Sequence, residues 1–270
     1  MIETAGQNKP DRPSTIQSVE RALDILTLLC NSNVPLSAKE IADALKMTRS
    51  TVNGLLNTLL QKKCVKKCAA RGKYMESIKL FAISQKHLNK LPVLQETGKY
   101  WENNIGKRLN VSSNLGLYDE MNQVLTIRVY EQQGRNDFFR SYTSLPMYCT
   151  GIGKCLLAYF PEKMAEDIIS QISMDAYTDH TITAQDALYK ELESIRQCGY
   201  SLDQGELLEN TYCIAFPIFD FTNNIIASCS IADSKETIES QRDILIRSGL
   251  QASKYCSIVL GWKPNKVTQG

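Results

Sequence analysis

The sequence predicts an α+β chain: an N-terminal winged helix-turn-helix, a linker helix, and a C-terminal domain whose antiparallel sheet is flanked by helices. Three observations predict it. Apolar stripes at helical period fill residues 16–60 and give way to a short lysine-rich hairpin pattern. Beyond residue 90, period-two apolar runs joined by turn residues are mixed with helical stretches. Charge divides the same way: residues 1–90 carry 15 Lys+Arg against 7 Asp+Glu, a net of +8, and residues 91–270 carry a net of −6. A basic third on an acidic remainder fits one part that meets a polyanion and one that does not, although a solvated lysine face gives the same count.

Composition excludes several classes. The 270 residues, 43% apolar and 22% charged, suit two modest globular domains. No apolar run reaches the length of a membrane span, and the opening MIETAGQNKPDRPS lacks a secretory apolar core. A cytoplasmic protein with no membrane partner is expected. The nine cysteines are odd in number and scattered, as reduced thiols are. With only His87 and His180, a His-built metal centre or a Ser-His-Asp engine has little material, and neither metal nor cofactor is expected.

The elements follow in order. Residues 1–15 form a polar leader, expected to be disordered. Ile16–Asn31 carries Val19, Ala22, Leu23, Leu26, Leu29 and Cys30 as one helical stripe, ended by Asn31–Pro35. Ser37 and Glu40 read as a capping box for a short helix burying Ile41, Ala42 and Leu45. After the tight connection Lys46-Met47, Thr48 caps a third helix whose core face is Val52, Leu55, Leu56, Leu59 and Leu60. Two helices joined by so short a turn are what a helix-turn-helix requires.

The outward face of the third helix carries Arg49, Ser50, Thr51, Asn53, Asn57 and Gln61, all able to donate to phosphates or base edges. No acidic residue lies between Thr48 and Ala70 to repel phosphate. Gly54 costs about 1 kcal/mol in a helix interior, which either close approach of DNA or relief of packing would justify. Lys62–Cys68 and Lys73–Met75 then read as two short strands around a turn, with Lys66, Lys67, Arg71 and Lys73 placed to reach phosphates as a wing does. The expected DNA-binding set is therefore Thr48, Arg49, Ser50, Thr51, Asn53, Asn57, Lys66, Arg71 and Lys73. A zinc reading of Cys64-x3-Cys68 lacks two nearby ligands.

This places the winged helix over residues 16–76, a linker helix over 77–90, the second domain over 91–262 and a tail over 263–270. In the second domain a helix is expected over Pro92–Asn104 and a hairpin over Asn110–Tyr118 and Gln123–Tyr130. Phe138–Tyr142 reads as a further strand, and Thr150–Phe160, Pro161–Gln171 and Ala184–Cys198 as helices. Strands at Ile214–Phe219 and Ile225–Ala232 form a second hairpin, and Ser240–Leu260 is a terminal helix. In Cys149-Thr-Gly-Ile-Gly-Lys154, glycines at a helix start leave amides free for a carboxylate, or permit close packing on the sheet; the spacing is not a nucleotide fingerprint.

Several of these segments together resemble IclR-type transcriptional regulators. Gln17–Leu26, Leu36–Ala42, Thr48–Val52, Leu145–Ala158, Thr181–Thr183, Ile195–Tyr200 and Cys213–Asp220 keep that family's order over roughly residues 16–262. The resemblance implies a winged-helix DNA binder with a GAF-like effector domain, acting as a homodimer or tetramer on a near-palindromic operator and usually as a repressor. It also implies that a small carboxylate or sugar acid is held by Leu145, Thr150, Gly151, Ile152, Asp203, Cys213 and Ser230. Ala232 stands where some small-acid sensors have a second serine, and Asn210 and Thr211 also depart from the pattern, so the effector need not be the same acid.

A non-enzymatic regulator is the expectation, with two alternatives. A cysteine enzyme would use Cys149, Cys155 or Cys213, with His180 as the one histidine at hand in sequence. A redox-switched DNA binder would use Cys64 and Cys68, expected to be exposed and flanked by lysines.

Overall fold

The computed structural model describes residues 15–68, 72–88, 90–132 and 143–264. The chain divides after Leu88 into two compact units.

In the first unit, helix α1 (Gln17–Asn31) leads through strand β1 (Leu36–Ser37) into α2 (Ala38–Ala44) and α3 (Arg49–Gln61). The capping box forms: Glu40 N–H donates to Ser37 Oγ at 3.2 Å, and Ser37 N–H donates to the Glu40 carboxylate at 2.6 Å. Lys46, at φ 51°, turns the chain between α2 and α3, and Thr48 caps α3 by accepting from Thr51 N–H at 3.2 Å. Ile25, Leu29, Ile41, Ala42, Val52, Leu56, Leu59 and Val65 make the core. Each such side chain contributes about 1.5–3 kcal/mol by leaving water, which fixes α3 with its polar face outward. The wing is β2 (Val65–Lys67) and β3 (Lys73–Glu76), and α4 (Ile78–Leu88) follows.

Two expectations change here. The single stripe on the first helix is in fact two faces: Ile25 and Leu29 are buried, whereas Val19 and Leu23 are 54% and 57% exposed. One side of α1 packs on this small core and the other has no room in it. The wing also gains an edge strand, β1, which pairs with β3 at Leu36↔Tyr74 and Ser37↔Lys73.

The second unit opens with a helical run through Leu109, in which π-helical segments Val93–Thr97 and Glu102–Gly106 alternate with α5 (Gly98–Trp101) and α6 (Lys107–Leu109). It passes the expected end at Asn104 because Trp101 and Ile105 continue its buried face, and it stops at Asn110, in the left-handed conformation at φ 50°. Next come β4 (Ser112–Tyr118), β5 (Gln123–Tyr130), β6 (Thr143–Pro146), α7 (Gly151–Tyr159), α8 (Glu162–Gln171) and α9 (Gln185–Cys198). The unit ends with β7 (Ser201–Gln204), β8 (Tyr212–Phe219), β9 (Ile225–Asp233), α10 (Lys235–Ser240) and α11 (Arg242–Val259). Strands β6 and β7 were not expected, and the strand expected at Phe138–Tyr142 lies outside the described residues. The expected terminal helix is α11, and an unexpected short helix, α10, capped by Ser234, precedes it.

The six strands form one antiparallel sheet in the order β6-β5-β4-β9-β8-β7. Alternation along β8 sends Cys213 and Ala215 toward α7, while Phe216 meets Trp101 and α11 on the other face. A Cβ on Gly249 of α11 would lie 2.1 Å from the Phe216 ring, so only glycine allows that approach. Helices thus cover both faces of the sheet, and the polar residues pointing at α7 are enclosed.

Candidate functional site

On α3, Arg49, Ser50, Asn53, Asn57 and Gln61 are exposed along one face, with Thr51 half-buried beside them. Thr48 and Thr51 share a hydroxyl hydrogen bond at 2.9 Å in addition to the cap, so both hydroxyls already help to hold the helix start. A Cβ added at Gly54 would meet nothing within 4 Å, which removes packing relief as the reason for that glycine. Lys66 is exposed on β2, and Lys62, Lys63 and Lys67, which the expected set omitted, are exposed beside it. Lys73 is half-buried and lies 3.7 Å from Glu40, so its charge is partly offset. Arg71 lies outside the described residues. Helix face and ribbon together form a cationic, donor-rich surface of the kind that positions on phosphates and reads base edges.

The cysteines contradict the redox expectation in one respect: Cys64 and Cys68 are only half-exposed, and the exposed thiols are Cys30 and Cys198. Cys64 packs against the small core, which a sequence reading of lysine-flanked cysteines does not anticipate.

In the second unit, strand register builds a pocket. Asn114 pairs with Ser230, Ser230 with Ala215, and Ala232 with Cys213, which in turn pairs with Asp203. These two adjacent rows of the sheet face the start of α7. The cavity between them is lined by Asn114, Thr126, Leu145, Thr150, Gly151, Ile152, Asp203, Thr211, Cys213, Ser230 and Ala232. The structure therefore brings all seven expected effector residues to one place and adds Asn114 and Thr126. Neither addition carried a sequence signal beyond being a polar residue in an apolar strand. The cavity volume is about 30 Å³, room for about two waters. Leu145, Thr211 and Ala232 are the half-buried members of this lining. An open groove of about 720 Å³ along α7, α8 and α9 contains none of the expected residues.

Helix α7 supplies the roof. Thr150 caps it, accepting from Gly153 N–H at 3.2 Å and donating to Pro146 O at 2.8 Å. The amides of Gly151 and Ile152 precede the first intrahelical bond and sit at the positive end of the helix dipole. The two glycines separate the two readings of this loop. Gly153 serves packing, since a Cβ there would lie 2.4 Å from Met147 backbone. At Gly151 a Cβ would come 3.0 Å from Cys213 Sγ and 3.6 Å from Asp203 Cβ, so this glycine keeps the cavity open as well.

Asp203 is a strand residue only 6% exposed. Its Oδ1 accepts from Gly205 N–H at 3.1 Å and Glu206 N–H at 2.8 Å. Burial, reinforced by the neighbouring Glu206 carboxylate, pushes its pKa up to about 7 against the pull of those amides and of Lys154. Lys154, 1% exposed, donates to Glu206 and to Glu191 at 3.1 Å. Burial lowers its pKa, but the carboxylates outweigh that and keep the ammonium charged. Thr178 Oγ1 donates to Gly205 O at 2.7 Å and Thr181 Oγ1 to Glu206 O at 2.6 Å, pinning the loop that carries this cluster.

The candidate nucleophiles are disabled by the same burial. It pushes the Cys149 and Cys155 thiols up to about 12 and the Cys213 thiol higher still. His180 is exposed, whereas all three thiols are buried. A thiol held protonated without a base is a poor nucleophile, and Cys213 acts here as a wall with a weak S–H donor.

Residues 85–256 match the family described as bacterial transcriptional regulator IclR C-terminal, and residues 18–67 match the IclR helix-turn-helix domain. The uncharacterised HTH-type transcriptional regulator RhmR of Escherichia coli K12 is 30% identical over 251 residues, covering 93% of this chain and 95% of its own. The HTH-type transcriptional repressor AllR of Klebsiella pneumoniae is 27% identical over 267 residues, covering 96% and 95%. Among solved structures, the Thermotoga maritima IclR superposes with a TM-score of 0.69 at 25% identity, covering 91% of this chain and 99% of that one.

Proposed function

The chain belongs to the IclR family of bacterial transcriptional regulators, and from that premise we propose that it is a cytoplasmic repressor of a catabolic operon, released or recruited by a small carboxylic or sugar acid. The observation that carries the proposal is the pocket. Free amides of a helix start, the Thr150 and Ser230 hydroxyls, the Asn114 amide and the Asp203 carboxyl converge on one cavity between apolar walls. Helix-start amides favour an anion, and hydroxyl and carboxyl groups suit its oxygen substituents. Ala232 and Thr211 shift the polarity of the lining, so the acid is chosen by this chain's own set. The relative named as a repressor supports the sign of regulation.

On the DNA side, Asn53, Asn57 and Arg49 read bases, Ser50 and Lys66 grip phosphates, and the capping threonines hold the helix start. The exposed face of α1 supports a homodimer. Ile16, Val19, Leu23 and Cys30 are exposed, and with Leu26, which is half-buried against the core, they recur in alternating steps of three and four, the spacing of a helix–helix seam. A second copy packed there would present two recognition helices, which must fall about 34 Å apart, or a multiple of it, on a near-palindromic operator.

The test is DNA binding to fragments beside the protein's own gene, with monocarboxylates and aldonates of two to six carbons titrated into the complex. Selective, salt-sensitive binding that one acid shifts supports the proposal. Equal weak binding to every fragment, unmoved by any acid, sinks it.

A further inference from the structure

Resting on the effector reading above, we propose that Asp203 meets the effector as a neutral carboxylic acid, so that the pocket takes up one proton with each monocarboxylate it binds.

The argument begins from charge. The lining contains no Lys, Arg or His, although it is offered to an anion. The cation beside it, Lys154, is already engaged by two carboxylates, Glu206 and Glu191, so this cluster is negative before Asp203 is counted. Glu206 is itself 6% exposed, and its Oε2 is buried without a partner. An ionised Asp203 and a bound carboxylate would add two further negative charges in a site that water barely reaches, where like charges cannot both persist.

A proton on Asp203 removes one of those charges and converts a repelling group into a donor. Oδ1 is held by the Gly205 and Glu206 amides, which leaves Oδ2 to carry the proton. The ligand's carboxylate then has the Gly151 and Ile152 amides on one side and the Asp203 O–H on the other. The remaining titratable neighbours do not compete for this role. Cys149 before α7 and Cys213 on β8 stay thiols, their pKa values raised by burial with Asp203 adding to the rise, and Lys154 keeps its charge against Glu206 and Glu191. Desolvation places the free Asp203 carboxyl near neutrality, so it is largely ionised above pH 8 and must regain its proton to bind.

The experiment is calorimetric titration of the intact protein with the monocarboxylate panel at pH 8, in phosphate and in Tris, whose ionisation enthalpies differ. The expected result is about one proton taken up per acid bound, with Kd rising toward tenfold per pH unit above about pH 7.5. Asp203→Asn keeps the Oδ1 acceptor for both amides and places an N–H where the O–H would be. It is expected to bind with no proton uptake, with a Kd flat from pH 6.5 to 8.5, and more tightly than the unaltered protein at pH 8.5. Binding by the unaltered protein without proton uptake overturns this inference and leaves the effector reading standing. So does an Asp203→Asn variant that keeps its fold by circular dichroism yet fails to bind at every pH. If no acid in the panel binds, the effector reading falls and this inference falls with it.

Discussion

Replacing Lys154 by Met should destabilise the second unit by about 3–5 kcal/mol, the cost of removing one partner from a buried ion pair. The magnitude follows from placement. Lys154 is 1% exposed, Glu206 is 6% exposed, and Met fills much of the lysine's volume, so what is lost is charge rather than packing. Glu191 is a third exposed and can turn to solvent; Glu206 cannot. The Glu206 pKa is already above the usual carboxylate value because of burial. Without the ammonium it rises further, and a carboxyl whose folded pKa exceeds its unfolded one costs stability wherever the folded form must ionise. The penalty should therefore be larger at pH 7.5 than at pH 5.5, because Glu206 gains a proton as pH falls. Denaturant melts of the full chain, followed by a probe in the second unit, read the difference at both pH values. The double variant Lys154→Met/Glu206→Gln should recover more than half of the loss. A Lys154→Met loss under 1 kcal/mol, or one independent of pH, would refute the reasoning.

Other expectations concern DNA and assembly. Asn53→Ala should cost about 1–3 kcal/mol on the specific operator and relax preference at one base, whereas Lys66→Ala should weaken all sequences alike and reduce the salt slope by about one; binding isotherms on specific and random duplexes separate the two. Gly54→Ala should stabilise the first unit by up to about 1 kcal/mol, because helix propensity improves and the new methyl meets nothing. If the same variant loses operator affinity, the glycine is kept for DNA approach; unchanged affinity removes that role. Leu23→Glu, placing charge on the exposed face of α1, should shift sedimentation toward monomer with little change in helix content, and an unaltered oligomer would move the interface elsewhere.

Much of the fold was legible because local chemistry and tertiary packing agree. Ser37, Glu40 and Thr48 announce helix starts by cap chemistry alone, and the alternation of Gln123–Tyr130 declares a strand before its partners are known. What stayed hidden was decided by partners distant in sequence. Ser201–Gln204 looks like a turn next to Gly205 and becomes a strand only by pairing with β8, and that pairing also buries Asp203. Strand β1 is two residues long and has no period to detect. On α1, apolar residues nearly surround the helix, and only the positions of α2 and α3 determine which are covered. The pocket shows the same division. Nine of its eleven lining residues were named through family resemblance, but Asn114 and Thr126 face inward by register, which no single strand reveals. Lys154 carried no signal at all, since its partners lie 37 and 52 residues away.

The central claim, that this pocket controls the hold on DNA, is tested most directly by titrating the responsive acid into protein–operator complexes of the unaltered chain and of Asp203→Ala, with fluorescence anisotropy as the readout. The account predicts equal operator affinity for both without acid, a clear shift with acid for the unaltered chain, and none for the variant. An Asp203→Ala protein that still responds in full would place the effector elsewhere and contradict the account.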